Sequence, residues 1–332
     1  MKIKKIENCR NKKGFIDLNN LESYREKGEI VDGSNAKAWF KVDGVRFLFK
    51  EYDSVLPAFG EVLYSKVARK HNIDCAEYDF ACYDGKIGTI SYDFLSDDKV
   101  YYNCLELTTQ FIDTKFTIDE MRENRELLAI HNNRYNNMNS IKEVLSNLFN
   151  IGNDEKKIIE KKLIEMVTLD TIFWHRDRTL WNYGVVVDEN SDQMTFAPIH
   201  DNSWILYLEK GEQYIEEMVA SLISGSKLDG LNDYNSSFNM GTEKDDAIDQ
   251  LVKFYSLSDD ETREIIENIV NNIDIEDEVE KLNEICKIDD VSRLWIKTVS
   301  NYRRITILKG LESVKIDDSK AMKPNVSFSK RK

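Results

Sequence analysis

The side chains best suited to chemistry lie in one short stretch, "HRDRTLWNYG", and at the end of the ribbon that follows it. His175, Arg176 and Asp177 lead to Asn182, and Asp201 closes the segment "FAPIHD". The pattern H-R-D-x-x-x-x-N supplies an aspartate that can orient an attacking hydroxyl and accept its proton. It also supplies an amide oxygen that, with a second aspartate, can hold Mg2+, a hard cation that takes oxygen ligands. Such a set suits phosphoryl transfer, in which positioning and electrostatic stabilisation do most of the work. The competing reading of Asp177 and Asn182 is ordinary turn chemistry, because both residue types favour loops.

Something rigid must hold these groups. Residues 183–199, "YGVVVDENSDQMTFAPI", read as two short apolar strands around a polar turn at Asp188 to Asp192. A hairpin there brings Asn182 and Asp201 to the same end. Upstream, "EKKIIEKKLIEMVTLDTIFWH" places Ile159, Leu163, Met166, Val167, Ile172 and Phe173 on one broad helical face that runs straight into the loop.

The N-terminal third reads as a sheet with one helix. Asp43-Gly44 suits a two-residue turn that needs positive φ at both positions. It pairs Val42 with Val45, Phe40 with Phe47 and Trp39 with Leu48, and gathers Ala38, Phe40, Val42, Val45, Phe47 and Phe49 on one apolar face. The same register sets Lys37 opposite Lys50. Like charges directly opposite are unfavourable; a bound polyanion such as a phosphate chain relieves the conflict, and so does splaying both ammonium groups into water. Just upstream, Gly33 and Ser34 in "DGSNAK" can form a short loop whose backbone N–H groups face phosphate. A helix is expected from Pro57, with Phe59, Val62, Leu63 and Val67 on its apolar stripe and Glu61 bordering it. Glu61 either pairs with Lys50 or points to solvent. A second hairpin turns near Asp84-Gly85, and its strand leaves the sheet through Ser91 to Leu95 as a hinge.

From about Lys99 onward the periods are helical. Ser258 and Glu261 read as a capping box, and the helix "DVSRLWIKTVSNYRRITILKG" is expected to end near Gly310. The organisation is α+β: an antiparallel sheet lobe with one helix over residues 1–98, a larger, mostly helical lobe over 99–315, and a basic flexible tail over 316–332. The cleft between lobes is the natural ligand site.

Bulk properties narrow the classes. Over 332 residues, 46 basic side chains against 60 acidic ones give a formal charge of −14. That field disfavours nucleic acid and anionic membranes as partners. Five cysteines without a CxxC pair fit reduced thiols in a cytoplasm. Four scattered histidines without HExxH or HxH spacing make a zinc site unexpected. No apolar run is long enough for a signal peptide or a membrane span.

The chain resembles the HipA-type serine/threonine kinases, and among them the shorter CtkA-like bacterial protein kinases. Asp177 and Asn182 keep the spacing of that family's catalytic loop. The family's metal-binding aspartate, often in a P-x-Y-D string, corresponds to Asp201 in Pro198-Ile199-His200-Asp201, with His200 in place of the aromatic residue. Where the family often has histidine two residues after the catalytic aspartate, this chain has Thr179. Gly33 to Lys37 is similar to the family's G-[small]-x-x-K loop, and Lys50 corresponds to its ATP-binding lysine. The resemblance implies a two-lobed protein-kinase-like fold, ATP and Mg2+ as cofactors, transfer to Ser or Thr of a protein substrate, and autophosphorylation at the loop serine, Ser34. It also implies an antitoxin or other regulatory protein as a partner. Two further readings share these residues: a small-molecule or lipid kinase of related fold, and a nucleotide-binding pseudokinase that acts as an interaction module.

Overall fold

The computed structural model describes residues 6, 8–26, 36–96, 98–113, 115–147, 152–224, 238–240 and 246–321. Gly33 and Ser34, the expected phosphate loop, lie outside the described residues.

Asp43 and Gly44 make the expected turn, with φ of 51° and 83°. The strands β2 (Lys37–Val42) and β3 (Val45–Glu51) pair in the register read from the sequence, with Lys37 opposite Lys50. Asp84-Gly85 repeats the device, at φ of 49° and 75°, between β4 (Tyr78–Tyr83) and β5 (Lys86–Tyr92). With β1 (Ile16–Asp17) at one edge, the sheet order is β1-β4-β5-β3-β2. It is antiparallel except at β1, which runs parallel to β4.

Strand alternation buries Ala38, Phe40, Val42, Phe47 and Phe49 on one face, while Val45, beside the turn, is 37% exposed. Ile6, Ile16, Leu18 and Leu21 from the N-terminal segment cover that face and close a small core with it. These four side chains therefore form a lid on the outer side of the sheet.

The helix α1 (Val55–Lys70) packs on the opposite face. It begins two residues before Pro57, so the proline falls in the first turn, where its missing N–H is not needed. Leu56 to Ser65 are all buried, because α1 is wedged between the sheet and the helical part of the molecule. A Cβ on Gly60 would come within 3.1 Å of Ile205 and Leu208, so glycine lets α1 close on the segment that follows Asp201.

After β5 the chain forms a further strand, β6 (Lys99–Asn103), where helical periods were expected. The run Val100-Tyr101-Tyr102 favours extended backbone, and β6 completes a three-stranded sheet with β7 (Gly184–Asp188) and β8 (Met194–Phe196). The anticipated ribbon is thus anchored along its β7 edge. Helices α2 (Cys104–Phe111), α3 (Ile118–Glu123), α4 (Arg125–Tyr135), α5 (Met138–Asn147) and α6 (Asn153–Ile172) precede the ribbon. Helices α7 (Glu212–Ile223), α8 (Ala247–Leu257), α9 (Asp260–Asn272), α10 (Glu276–Ile285) and α11 (Asp290–Ala321) follow it.

Two helix ends differ from the sequence reading. Asp259, not Ser258, caps α9, accepting from the Thr262 N–H at 2.9 Å; Ser258 closes the preceding helix, α8. Gly310 does not stop α11. A Cβ there would approach Val252 Cγ2 to 2.4 Å, so this glycine serves the contact with α8, and the helix carries on into the segment expected to be a loose tail. Among the described residues no helix is long and apolar enough to cross a membrane. All five cysteines are free thiols.

Candidate active site

The last turns of α6, from Met166 to Ile172, are buried throughout. The backbone then breaks at Trp174, whose φ of 49° is unusual for so bulky a residue. This sharp exit launches the loop His175 to Asn182. His175 ties that loop to the next one: its Nδ1 accepts the Asp177 N–H at 3.2 Å, and its Nε2 lies 3.1 Å from the Asp201 carbonyl oxygen. With Nδ1 accepting, Nε2 carries the proton and donates. Burial, and next the neighbouring Arg178, push the His175 pKa down to about 4, so it is neutral near neutral pH.

Arg178 is fully buried and matched on every side. Its Nε donates to Asp170 Oδ2 at 2.8 Å and one terminal nitrogen reaches Asp170 Oδ1 at 3.1 Å. The remaining contacts are the carbonyl oxygens of Asn182 (2.9 Å) and His200 (2.7 Å) and the Asn202 amide oxygen (2.7 Å). One guanidinium thus fixes both ends of the ribbon. Asp170 also accepts from Tyr64 of α1 at 2.8 Å. Burial opposes the Asp170 charge, but the Arg178 cation wins and holds its pKa low. From α4, Asn132 accepts the Leu180 N–H at 3.0 Å and braces the loop's middle.

These supports gather the acidic groups at a cleft of about 700 Å³ lined by Lys37, Asp177, Asn182, His200 and Asp201. Asn182 Nδ2 donates to the Asp177 carbonyl oxygen at 2.6 Å and to Asp177 Oδ2 at 3.2 Å. That orientation turns the Asn182 amide oxygen away from the aspartate, as a cation ligand requires. Asp201 has φ 55°, a conformation aspartate tolerates better than most residues. From the sheet side, Lys50 is in direct contact with Asp201 and lies 3.5 Å from Glu61 Oε1. Glu61, fully buried on α1, accepts from Tyr52 (2.5 Å) and Thr89 (2.7 Å) as well. Of its two expected fates, the pairing with Lys50 is the one observed.

The charges are unequal. Burial alone would lower the Lys50 pKa, but Asp201 and then Glu61 outweigh it, and Lys50 stays a cation. Burial likewise opposes the Asp201 charge, yet Lys50 holds its carboxyl well below the usual range. Asp177 goes the other way: burial, and next the charge on Asp201, push it up to about 6.

The structure therefore brings Lys37, Lys50, Glu61, Asp177, Asn182 and Asp201 together. The sequence reading missed Arg178, Asp170, Tyr52, Thr89 and Asn132. Asp170 carried a signal: a carboxylate within "TLDTIFW", on an otherwise apolar helix end, demands a buried cation.

The donor set fits a hard dication. Asp177, Asn182 and Asp201 offer only oxygen ligands from their side chains once the Asn182 amide nitrogen is engaged. Two carboxylates that line one cleft with Lys37, one of them in contact with Lys50, match the charge pattern of a metal–triphosphate.

A five-stranded sheet with one helix, a helical lobe behind it and an acidic cleft carried by the loop and ribbon make this a two-lobed kinase-like fold. Its backbone is similar to the crystal structure of the Helicobacter pylori proinflammatory kinase CtkA, with a TM-score of 0.68 at 15% identity, over 92% of this chain and 99% of that one. A weaker likeness, at a TM-score of 0.45 and 10% identity, is to the Shewanella oneidensis MR-1 toxin–antitoxin complex of HipA, HipB and operator DNA, over 91% of this chain and 70% of that one. No family model and no curated protein sequence matches the chain.

Proposed function

We propose that this protein is an ATP- and Mg2+-dependent kinase that transfers the γ-phosphoryl group to serine or threonine hydroxyls of a protein, its own chain included. The observation that carries this reading is the meeting of Asp177, Asn182 and Asp201 with the Lys50–Glu61 pair at one cleft. Asp177 orients the acceptor hydroxyl and takes its proton. Lys50, held in place by Glu61, steadies the phosphates. Asn182 and Asp201 would hold magnesium, whose charge offsets that of the β- and γ-phosphates. The fold shared with CtkA agrees with this reading. Free thiols suit a reducing cytoplasm as its place of action.

Incubation with γ-labelled ATP, Mg2+ and a cell lysate, followed by phosphosite mapping, tests the proposal. Mg2+-dependent label on serine or threonine, abolished by Asp177→Ala, is the expected result. Nucleotide binding without transfer would replace it with a pseudokinase, and label appearing only on an added metabolite would replace it with a small-molecule kinase. Ser34 remains the proposed self-modified residue; negative charge there would repel bound nucleotide.

A further inference from the structure

The cleft has a second wall, on the helical side, that the transfer chemistry does not use. Arg122 of α3, Leu128 and Asn132 of α4, and Thr179 and Trp181 of the loop line it together with Asp177. Trp181 directly precedes the metal-side Asn182, so this wall is built on the same loop as the base. Asn132 spends its amide oxygen on the Leu180 N–H. Leu128 and Trp181 are apolar. Among the described residues that line this wall, the basic side chain is Arg122.

Arg122 is held in a particular way. Its guanidinium lies 5.3 Å from the centroid of the Trp181 ring, and its side chain is still 44% exposed. A cation this close to an aromatic face is attracted by the ring's quadrupole. One of its contacts, with Asp119, spans 3.7 Å, and Asp119 is 86% exposed. Such a screened contact yields readily to a better-placed anion. Arg122 is also a local exception in a chain of net charge −14, which would otherwise repel acidic ligands.

We propose that Arg122, set against the Trp181 ring, is a specificity-determining residue that reads an anionic side chain of the protein substrate next to the accepting hydroxyl. The ligand chemistry is a planar or tetrahedral set of anionic oxygens, from a glutamate or aspartate or from a residue already phosphorylated. This deepens the kinase reading and rests on it for the place of the acceptor. Arginine suits the task because its fork can make two parallel charge-assisted bonds to carboxylate or phosphate.

The test uses the full chain and four serine peptides that carry glutamate, phosphoserine, alanine or lysine beside the acceptor. Binding is measured by fluorescence anisotropy on the Asp177→Asn protein, and transfer on the chain with Asp177 intact. Arg122 should favour the glutamate or phosphoserine peptide over alanine by about tenfold or more, as one charge-assisted contact allows. Comparing those two peptides identifies which anion is read. Arg122→Gln should erase the preference, and Arg122→Glu should turn it toward lysine. Equal binding of the glutamate, phosphoserine and alanine peptides would overturn the assignment. So would an Arg122→Gln protein that keeps the preference but loses affinity for ADP with aluminium fluoride, because the arginine would then serve the nucleotide. A chain that transfers nothing yet binds anionic peptides through Arg122 would remove the kinase reading and leave the anion subsite standing.

Discussion

Asp177 and Arg178 are neighbours in the chain, yet they sit in opposite electrostatic settings. Arg178 and its partner Asp170 are sealed from solvent, and five acceptor contacts surround the guanidinium. Burial costs both charges heavily, and close pairing offsets it. Asp177 is only partly covered, and it faces a second carboxylate, Asp201. Its charge has been left in conflict. The sealed pair fixes loop and ribbon in space; the conflicted pair is where a cation and a reacting hydroxyl would find energy to gain. Complete pairing marks the scaffold, and incomplete pairing marks the site.

The largest expected effect breaks the conflicted side. Asp177→Asn should lower phosphoryl transfer by about 10²- to 10⁴-fold, the usual worth of a positioned base. Labelled transfer measures the rate, and circular dichroism should show an intact fold. An Asn variant that unfolds would mean that Asp177 belongs to the scaffold after all.

The next breaks the sealed side. Arg178→Met leaves Asp170 buried without its cation, and urea denaturation should show a loss of about 3–5 kcal/mol. Replacing Asp170 by an apolar residue in the same chain should recover a good part of that loss, because no charge is then stranded. Failure of the double variant to recover would show that the pair contributes more than mutual neutralisation.

How much of this contrast could be read beforehand follows from how local each signal is. The hairpin at Asp43-Gly44 was legible because a tight turn fixes strand register, and register fixes which lysine faces which. Asp177, Asn182 and Asp201 were legible because loop and ribbon are contiguous. Arg178 was hidden by its type: arginine is usually exposed, and its burial here depends on partners from residue 170 to residue 202. Strand β6 was hidden because its pairing with β7 spans a long stretch of chain that no local pattern reports. The cover that Ile6 to Leu21 places on the sheet was masked by the charged residues between them.

A pH series sharpens the contrast further. Asp177 titrates near 6 in the folded chain against 3.8 for an ordinary aspartate, so folding favours its neutral form. Its stabilising contribution is complete below about 4 and is lost as pH rises through about 6. The Asn variant, which cannot ionise, should match the parent chain near pH 4 and exceed its melting temperature at pH 7. In the proposed reaction, transfer requires the ionised base and should rise across the same interval, with a midpoint that moves down as Mg2+ is increased. Stability and activity pulling in opposite directions over one window is the signature of a strained functional carboxylate. If the melting temperatures stay parallel, the conflict with Asp201 is not real.

The smallest effect tests whether burial is what divides the two sets. Lys70, at the end of α1, donates to Asp277 of α10 at 3.0 Å and lies within 4.0 Å of Asp274 and Glu278. This cluster joins the sheet side to the helical side and resembles a strap on paper. All its members except Glu278 are substantially exposed, however, and water already solvates the charges that the contact would satisfy. Lys70→Ala should therefore shift the urea midpoint barely beyond detection. Raising the salt to about 1 M, where screening reaches within a few ångströms, should erase even that. The same salt should leave the Arg178→Met penalty nearly intact, since no ion penetrates to Asp170. A Lys70 effect comparable to that of Arg178, or one that persists in high salt, would mean that position between the two parts of the molecule governs these contacts, and that removal from water does not.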